Sequence, residues 1–281
     1  MPSHQHQQQA PSHDHNHDQY TTSWEPKMAQ IIQSQMQQRK QKQLSLSKSP
    51  FMVALVGIPG SGKSTSSQLL SNILQQQQQQ LNNSVMVIPM DGYHIPLSIL
   101  KLNPNSKDLI YKRGSPETFD PRSLLRDLKR IRGGGEVVNG QQKHGEERNK
   151  DENTIHIPGF DHAIGDPKPN TYTFQRHQHA FVICEGLYLL HQDTKNEAGD
   201  DNESNLHRWN DEIQKQFDLT VFINANVDIC IERLKIRNKC IPGYTPEEID
   251  IRCDVVDRTN AMTVLKTKGH AMYVVDSIVT S

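Results

Sequence analysis

The feature that most constrains the fold is a glycine-rich segment between an apolar run and a helical pattern. The run FMVALVG, residues 51–57, is continuous and of strand length, as is typical of a strand buried on both faces. It leads into GIPGSGKST, which fits the GxxxxGK(S/T) pattern of a phosphate-binding loop. The residues of this loop are Gly57, Ile58, Pro59, Gly60, Ser61, Gly62, Lys63, Ser64 and Thr65.

Each part of this loop has a chemical task that depends on its residue type. Glycines allow the backbone angles that turn successive N–H groups toward one point. A helix that begins near Lys63 adds the positive end of its dipole. The Lys63 ammonium can reach the β- and γ-phosphates, and the Ser64 hydroxyl can ligate Mg²⁺. The loop therefore predicts binding of a nucleoside triphosphate with Mg²⁺.

The rest of the sequence alternates between strand and helix patterns. Further apolar runs predict strands over residues 84–90, 181–186, 219–225 and 271–276. Helical patterns cover residues 26–44, 63–74, 121–132, 227–239 and 246–265. Such alternation predicts an α/β protein with the P-loop NTPase fold, in which a five-stranded parallel sheet has helices on both faces.

Polar segments interrupt this pattern and bound the predicted domain. Residues 1–23 contain Gln, His, Ser and Asp and almost no core-forming residues, which predicts a disordered tail. Residues 24–281 are then one P-loop domain. Its polar loop inserts lie near residues 75–83, 140–154 and 192–205.

Overall charge and composition exclude several kinds of partner. The net charge of -1 and the pI of about 6.9 give no long-range field for nucleic acid or an anionic membrane. No apolar run approaches the roughly 20 residues of a membrane-spanning helix. The four cysteines show no CxxC spacing, which favours free thiols in a reducing compartment. We expect a soluble cytoplasmic protein, and its oligomeric state stays open.

Two carboxylates lie where predicted strands end. Asp91 follows the strand over 84–90 in MDGYH, and Glu185 lies near the end of the strand in FVICEG. The ligand crevice of an open parallel sheet lies outside the carboxyl ends of its strands, so both carboxylates are expected beside the phosphates. Asp91 could accept a proton from a hydroxyl or hold Mg²⁺, and Glu185 could order the Mg²⁺ shell through water. The alternatives are a turn or helix cap for Asp91 and a structural hydrogen bond for Glu185.

At this point the sequence resembles a known family. GIPGSGKST, MDGYH, KRGSPETFD, GFDH and CEGLYLL occur in the order seen in the phosphoribulokinase, uridine kinase and pantothenate kinase group, over about residues 50–276. The fungal ATP-dependent kinases of unsettled substrate are the most similar members. The resemblance implies ATP-dependent transfer of the γ-phosphoryl group to a hydroxyl of a small metabolite, with ATP and Mg²⁺. Uridine-kinase-like and pantothenate-kinase-like activities are the narrower alternatives.

The resemblance also implies roles for individual residues. Asp91 would be the general base, Lys63 would hold the phosphates, and Ser64 and Glu185 would organise Mg²⁺. The residues implied near the substrate pocket are Tyr93, His94, Arg113, Glu117, Phe119, Asp120, Phe160, Asp161 and His162.

Two arginines of the predicted helix over 227–239 complete the implied site. Arg233 and Arg237 are four residues apart and share a helix face. The resemblance implies a lid whose arginines neutralise charge during transfer, and a solvated basic face is the alternative. The stretch that follows, residues 238–244, departs from the family pattern. Farther on, Arg252, Asp257 and Asn260 match a stretch that helps to hold the nucleotide or to close the site.

Two hypotheses belong to other functional classes. The first 17 residues contain five histidines, which in front of a phosphate loop is typical of a metal-chaperone NTPase. Such a GTPase needs a guanine-selecting NKxD or TKxD, whereas TKNE at residues 194–197 ends in Glu. The other hypothesis is a catalytically inactive nucleotide-sensing protein. The presence of Lys63, Ser64, Asp91 and Glu185 favours the kinase over this inactive protein. A metal chaperone leaves MDGYH and PETFD unexplained, and the histidines are equally consistent with a low-complexity His/Gln tail.

Overall fold

The computed structural model describes residues 23–42, 49–78, 84–133, 153–193, 209–239 and 244–277. Its strands are β1 (Phe51–Gly57), β2 (Ser84–Pro89), β3 (Thr154–Asp161), β4 (Asp166–Gln175), β5 (His179–Gly186), β6 (Leu219–Asn224) and β7 (Tyr273–Asp276). Its α-helices are α1 (Glu25–Lys42), α2 (Lys63–Gln78), α3 (Leu97–Leu100), α4 (Ser106–Tyr111), α5 (Pro121–Arg132), α6 (Asp211–Gln214), α7 (Val227–Asn238), α8 (Pro246–Arg252) and α9 (Arg258–Leu265).

Five strands form one sheet in the order β2-β5-β1-β6-β7. Every neighbouring pair in this sheet is parallel, which confirms the predicted five-stranded parallel sheet. All seven residues of β1 are buried, since this strand lies at the centre and both of its faces are covered. The segment after β1 therefore emerges in the middle of the carboxyl edge.

Helices cover both faces of the sheet, as predicted. Alternate residues of β1 point to opposite faces, so Phe51 and Val53 belong to one core and Met52 and Ala54 to the other. The first core is closed by α1 and α2. The second is closed by α5, α9 and the paired strands β3 and β4. A chain of this length thus buries two apolar layers around one sheet.

The antiparallel pair β3–β4 was not expected from the sequence. The predicted insert over 140–154 overlaps its start, because β3 begins at Thr154. The strand β4 carries little apolar pattern: it contains Pro167 and Pro169, and most of its residues are partly or fully exposed. The buried side chains of the pair, Ile155 of β3 and Phe174 of β4, nevertheless close one core.

Helix ends follow the sequence signals in two places, and one predicted helix contains a π-helical segment. The Asp120 side chain accepts a hydrogen bond from the Ser123 N–H at 3.0 Å, and α5 stops at Gly133, whose φ is 94°. The predicted capping box of Thr245 and Glu248 opens α8. The helix expected over 246–265 is helical throughout that range, but it contains an unpredicted π-helical segment, Cys253–Asp257, between α8 and α9.

An ionic cluster ties both helical layers to the amino edge of the sheet. The Asp218 carboxylate accepts two hydrogen bonds from Arg132 of α5, at 2.6 and 2.9 Å. It also pairs with Arg39 of α1 at 3.2 Å and accepts from the Met52 N–H at 2.8 Å. Because this cluster lies at the edge opposite the phosphate loop, it stabilises the fold without entering the site.

Some expectations concern residues that the structure does not describe. The N-terminal tail over 1–22 and most of the three polar inserts lie outside the described ranges, so the predicted domain organisation stays a prediction. Within the described ranges, Cys184, Cys230 and Cys253 are free and buried. In that part of the chain, no helix combines the length and the apolar composition that crossing a bilayer requires.

Candidate active site

The glycine-rich segment forms the turn between β1 and α2, in the order the motif requires. Gly60 and Gly62 have φ values of 77° and 88°, in the left-handed region that favours glycine. A Cβ atom at Gly60 would lie 2.7 Å from the Cys230 carbonyl oxygen, so α7 packs directly against this loop. The loop geometry therefore depends on glycine for backbone angle and for space.

Lys63 lies at the start of α2 and is largely enclosed by protein. Its side chain donates a hydrogen bond to the Ile58 carbonyl at 3.0 Å, and the residue is 9% exposed. Burial lowers the pKa of the Lys63 ammonium, whereas the charges of Glu185 and Asp91 act to raise it. Both predicted carboxylates therefore act on the lysine of the loop, although they follow different strands.

Glu185 approaches the loop from β5, which pairs with β1. The Ser64 hydroxyl donates to Glu185 Oε1 at 2.9 Å. Burial raises the pKa of the Glu185 carboxyl, the Lys63 charge opposes this, and the Asp91 charge adds to it. This contact joins the two residues that the sequence predicted as Mg²⁺ ligands.

The two oxygen atoms of this contact are of the kind that Mg²⁺ prefers as ligands. A hydroxyl and a carboxylate are hard oxygen ligands, and Mg²⁺ in kinases takes few protein ligands because phosphates and water supply the others. Among the residues that the structure describes, no group of three or more His, Cys, Asp or Glu side chains could hold a metal alone.

Asp91 lies in a 3₁₀ turn, Met90–Tyr93, that follows β2 directly. Pro89 pairs with Glu185 across the sheet, so Asp91 lies two residues past the position that is paired with Glu185. A Cβ atom on Gly92 would lie 2.3 Å from the Pro158 carbonyl oxygen of β3. Only glycine lets this turn pack against β3, and the packing places Asp91 at the mouth of the crevice.

Main-chain hydrogen bonds join the MDGYH and PETFD segments. The Ile95 N–H donates to the Thr118 carbonyl at 2.8 Å, and the Asp120 N–H donates to the Tyr93 carbonyl at 2.8 Å. Two segments about 25 residues apart in sequence thus form one wall of the crevice.

A group of rings extends this wall toward β3. The His94 ring centre lies 3.9 Å from that of Phe119 and 4.8 Å from that of Phe160, and Phe160 lies 5.1 Å from His162. His94 Nδ1–H donates to the Asp91 carbonyl at 2.8 Å. Burial lowers the pKa of His94, so the ring is kept neutral next to the Asp91 turn.

Several of the residues predicted near the substrate support this wall from behind. Tyr93 is 4% exposed and Phe119 is 1% exposed. The Arg113 guanidinium donates to Asp166 at 2.7 Å and to the Ile95 carbonyl at 3.0 Å. These groups already have protein partners, and their direct contact with a substrate stays a prediction.

The other predicted substrate residues are more open to solvent. Glu117 and His162 are exposed, and His94 and Phe160 are half-buried. Asp161 accepts hydrogen bonds from the Ala163 and Ile164 amides, which turn the chain from β3 into β4. Direct contact between these residues and a substrate stays a prediction.

The two arginines of the predicted lid lie on α7, next to the phosphate loop. Both are on the helix expected from the sequence, with Arg237 exposed and Arg233 half-buried. Helix α7 packs against the loop at Cys230, and the positive charge of Arg237 adds to the effect of burial in lowering the pKa of Lys63. Residues 240–243 lie outside the described ranges, so the lid itself stays a prediction.

Sequence reasoning missed Tyr172 of β4. This half-buried residue is placed opposite Ile157 in the hairpin. Burial raises the pKa of the Tyr172 hydroxyl, and the charges of Glu185 and Asp91 raise it further. No motif marks this residue, and only recognition of the hairpin could have found it.

The stretch from Arg252 to Asn260, at the end of α8 and the start of α9, contacts the KRGSPETFD segment. Arg252 donates to the Arg113 carbonyl at 2.7 Å and lies 3.8 Å from Asp257. Asn260 is buried, and its side-chain nitrogen would lie 3.5 Å from a Cβ atom on Gly114. The structure thus brings this stretch to the KRGSP segment.

A phosphate loop after the central strand of a parallel sheet, with a buried lysine facing two carboxylates, defines the class as a P-loop nucleotide-binding protein. No protein-family model matches the chain.

Comparison with known proteins narrows this class to kinases. A protein of Schizosaccharomyces pombe, C227.14, provisionally named a uridine kinase, is 28% identical over 220 residues, which cover 76% of this chain and 78% of that protein. The ATP-dependent kinase YFH7 of Saccharomyces cerevisiae is 31% identical over 123 residues, or 39% of this chain and 34% of YFH7. The pantothenate kinase of Streptococcus gordonii is 29% identical over 187 residues, or 66% of this chain and 48% of that enzyme.

The fold agrees with these similarities. The crystal structure of YFH7 superposes with a TM-score of 0.64 at 19% identity, over 90% of this chain and 98% of the YFH7 chain. The predicted P-loop fold and the predicted resemblance to this kinase group are confirmed. The similarities support an ATP-dependent small-molecule kinase, although the matches span only about a third of YFH7 and half of the pantothenate kinase.

Proposed function

We propose that the protein transfers the γ-phosphoryl group of ATP to a hydroxyl of a small metabolite, with Asp91 as the general base. The observation that carries this proposal is that β5 and β2 bring Glu185 and Asp91 to the carboxyl edge of the sheet, where Ser64 and Lys63 of the phosphate loop lie. A protein that only binds a nucleotide needs the loop and its lysine. A carboxylate placed beyond the metal ligands is what transfer to a hydroxyl additionally requires.

The phosphate side of the site is formed by the loop and by α7. The loop amides and the start of α2 bind phosphate oxygens, and the Lys63 ammonium exchanges its hydrogen bond with the Ile58 carbonyl for one with the phosphates. Arg233 and Arg237 approach the same phosphates from α7 and offset the negative charge that develops during transfer.

Ser64 and Glu185 are the residues that would hold Mg²⁺, which when bound neutralises phosphate charge. Their mutual hydrogen bond keeps both oxygens at the start of α2 before any ligand arrives. Burial disfavours the charged form of the Glu185 carboxylate. A bound cation would stabilise this charged form and so lower the free-energy cost of burying it.

Asp91 performs the acid–base step. Its carboxylate accepts the proton of the acceptor hydroxyl as that oxygen attacks the γ-phosphorus, and ADP leaves on the side of the loop. The neutral His94 ring next to Asp91, followed by Phe160 and His162, forms the wall against which the acceptor packs. Uridine and pantothenate, named in two of the relatives, are both alcohols, and the acceptor of this chain belongs to the same broad chemical class.

A metabolite-extract assay tests the proposal. The protein is incubated with Mg²⁺, ATP and a small-metabolite extract, and mass spectrometry searches for a product heavier by one phosphoryl group. We expect such a product with the intact protein and none with Asp91→Ala, although the variant still binds ATP. Tight ATP binding without any product, in extracts from several sources, would instead support a nucleotide-sensing protein.

A further inference from the structure

The turn that carries Asp91 is attached to one helix at two points. The Asp120 N–H at the start of α5 donates to the Tyr93 carbonyl at 2.8 Å. The Tyr93 hydroxyl donates to Asp127 Oδ2, two turns farther along α5, at 3.2 Å. The tyrosine ring therefore lies along the helix and is held at both ends.

Asp127 is an unusual residue for its place. Its side chain is 3% exposed and lies on the face of α5 that otherwise buries leucine and isoleucine. Burial of a carboxylate costs free energy unless the group is paired. Arg126 at 3.1 Å and Arg130 at 3.6 Å supply the countercharge from the surface, and Tyr93 uses the second oxygen. An apolar residue would pack there at lower cost, so the carboxylate indicates a specific task.

We propose that Asp127 is a positioning residue for Asp91 and that it acts through the Tyr93 hydroxyl. This inference rests on the proposed function, in which Asp91 accepts the proton. Tyr93 follows Asp91 by two residues in a single 3₁₀ turn, so a displacement of its ring moves the carboxylate. A shift of about 1 Å in a reacting group can lower a rate by about a hundredfold.

The other contacts of the turn do not replace this attachment. Gly92 touches the Pro158 carbonyl region of β3, and this contact blocks motion toward β3 only. The bond from His94 to the Asp91 carbonyl lies within the turn and moves with it. The bond from the Ile95 N–H to the Thr118 carbonyl holds the chain two residues after the turn. The two bonds to α5 hold Tyr93, the last residue of the turn itself, and Asp127 provides the one made by a side chain.

Four variants separate positioning from packing: Tyr93→Phe, Asp127→Leu, Asp127→Asn and the double variant Tyr93→Phe/Asp127→Leu. With the acceptor identified in the extract assay, we expect Tyr93→Phe and Asp127→Leu each to lower kcat by roughly ten- to a hundredfold. The Kd for Mg²⁺-ATP should stay unchanged. Asp127→Asn keeps an oxygen that accepts from Tyr93, so it should retain most of the activity.

The double variant and a matched control complete the design. Because both single changes remove the same contact, the double variant should be no slower than the worse single variant. Thr220→Val serves as the control: the buried Thr220 hydroxyl accepts from the Met272 N–H at 2.9 Å near the amino end of β6, far from the carboxyl edge. It should lose stability without losing kcat. Full kcat in Tyr93→Phe, or an equal loss in Thr220→Val, would overturn the inference.

Hydrogen exchange separates this inference from the proposed function. If the wild-type protein phosphorylates no acceptor, the proposed function fails. Hydrogen exchange of the backbone amides over residues 90–95 still tests whether the Asp127–Tyr93 bond holds the turn. We expect these amides to exchange faster in Tyr93→Phe than in the wild type, and to be unchanged in Thr220→Val. Identical exchange in all three proteins would show that the Asp127–Tyr93 bond does not hold the turn.

Discussion

Gly92→Ala tests whether close packing of the Asp91 turn on β3 sets the site. The added Cβ atom would lie 2.3 Å from the Pro158 oxygen and 2.7 Å from its carbonyl carbon, whereas ordinary contact begins at 3.4 Å. The turn and the strand must therefore separate by about 1 Å, since neither partner is a flexible side-chain end. The φ of Gly92 lies outside the left-handed region, so the contact alone causes the effect.

Two opposing terms set the size of the stability change. Forcing an extra group into a packed interior costs about 1–3 kcal/mol, whereas replacing glycine restricts the unfolded chain and returns about 0.4–1 kcal/mol. We expect the free energy of unfolding to fall by roughly 1–2 kcal/mol. Because the same movement displaces Asp91, kcat should fall by about a hundredfold while the Kd for Mg²⁺-ATP changes little.

Urea denaturation and steady-state kinetics measure these two effects, with Gly269→Ala as the control. A Cβ atom on Gly269 would meet nothing within 4 Å, so this variant should match the wild type or be slightly more stable. If Gly92→Ala were as stable and as active as Gly269→Ala, the turn would not be packed against β3, and the explanation of this glycine would be wrong.

Three further predictions concern single side chains. Burial lowers the pKa of His94 below its ordinary value of 6.5, so the unfolded chain binds the proton first and the free energy of unfolding should fall as pH drops below about 6.5. His94→Asn keeps a donor for the Asp91 carbonyl and should flatten this decline in urea titrations. Asp218→Asn removes the charge that pairs with Arg132 and should cost about 1–3 kcal/mol of stability with kcat unchanged. Glu185→Gln should raise the Mg²⁺ concentration for half-maximal activity without lowering the melting temperature, because burial already disfavours its charge.

A specific result would contradict each of these three predictions. A stability profile of His94→Asn that still falls like the wild type would assign the decline to other groups. Loss of kcat in Asp218→Asn would show that the amino-edge cluster reaches the site. Unchanged Mg²⁺ dependence in Glu185→Gln would remove Glu185 from the metal site.

The sequence predicts the parallel sheet well because its strands are covered on both faces. The runs that became β1, β5 and β6 are continuous and apolar, so their length and flanking turns are sufficient to locate them. The hairpin differs because β4 is mostly exposed and carries two prolines, and its burial arises from contacts distant in sequence. The sequence pattern of β4 itself does not indicate these long-range contacts.

The candidate site likewise contains some residues that sequence motifs locate and others that only tertiary packing locates. The phosphate loop is a contiguous motif whose chemistry can be argued from residue types, and the strand ends locate Asp91 and Glu185 by topology. By contrast, Tyr172 and Asp127 are positioned by tertiary packing, Tyr172 by the missed hairpin and Asp127 by its contact with Tyr93 from the buried face of α5. Neither has a sequence pattern that distinguishes it from an ordinary strand or helix residue.

The most direct test of the account measures phosphoryl transfer and nucleotide affinity in the same Asp91→Asn protein. Asparagine preserves the size of the side chain but cannot accept the proton. We expect transfer to the identified acceptor to fall by roughly 10²- to 10⁴-fold, while the Kd for Mg²⁺-ATP measured by calorimetry stays within about threefold of the wild type. Transfer near the wild-type rate would show that Asp91 is not the base, and a comparable loss of ATP affinity would make it a structural residue of the nucleotide site.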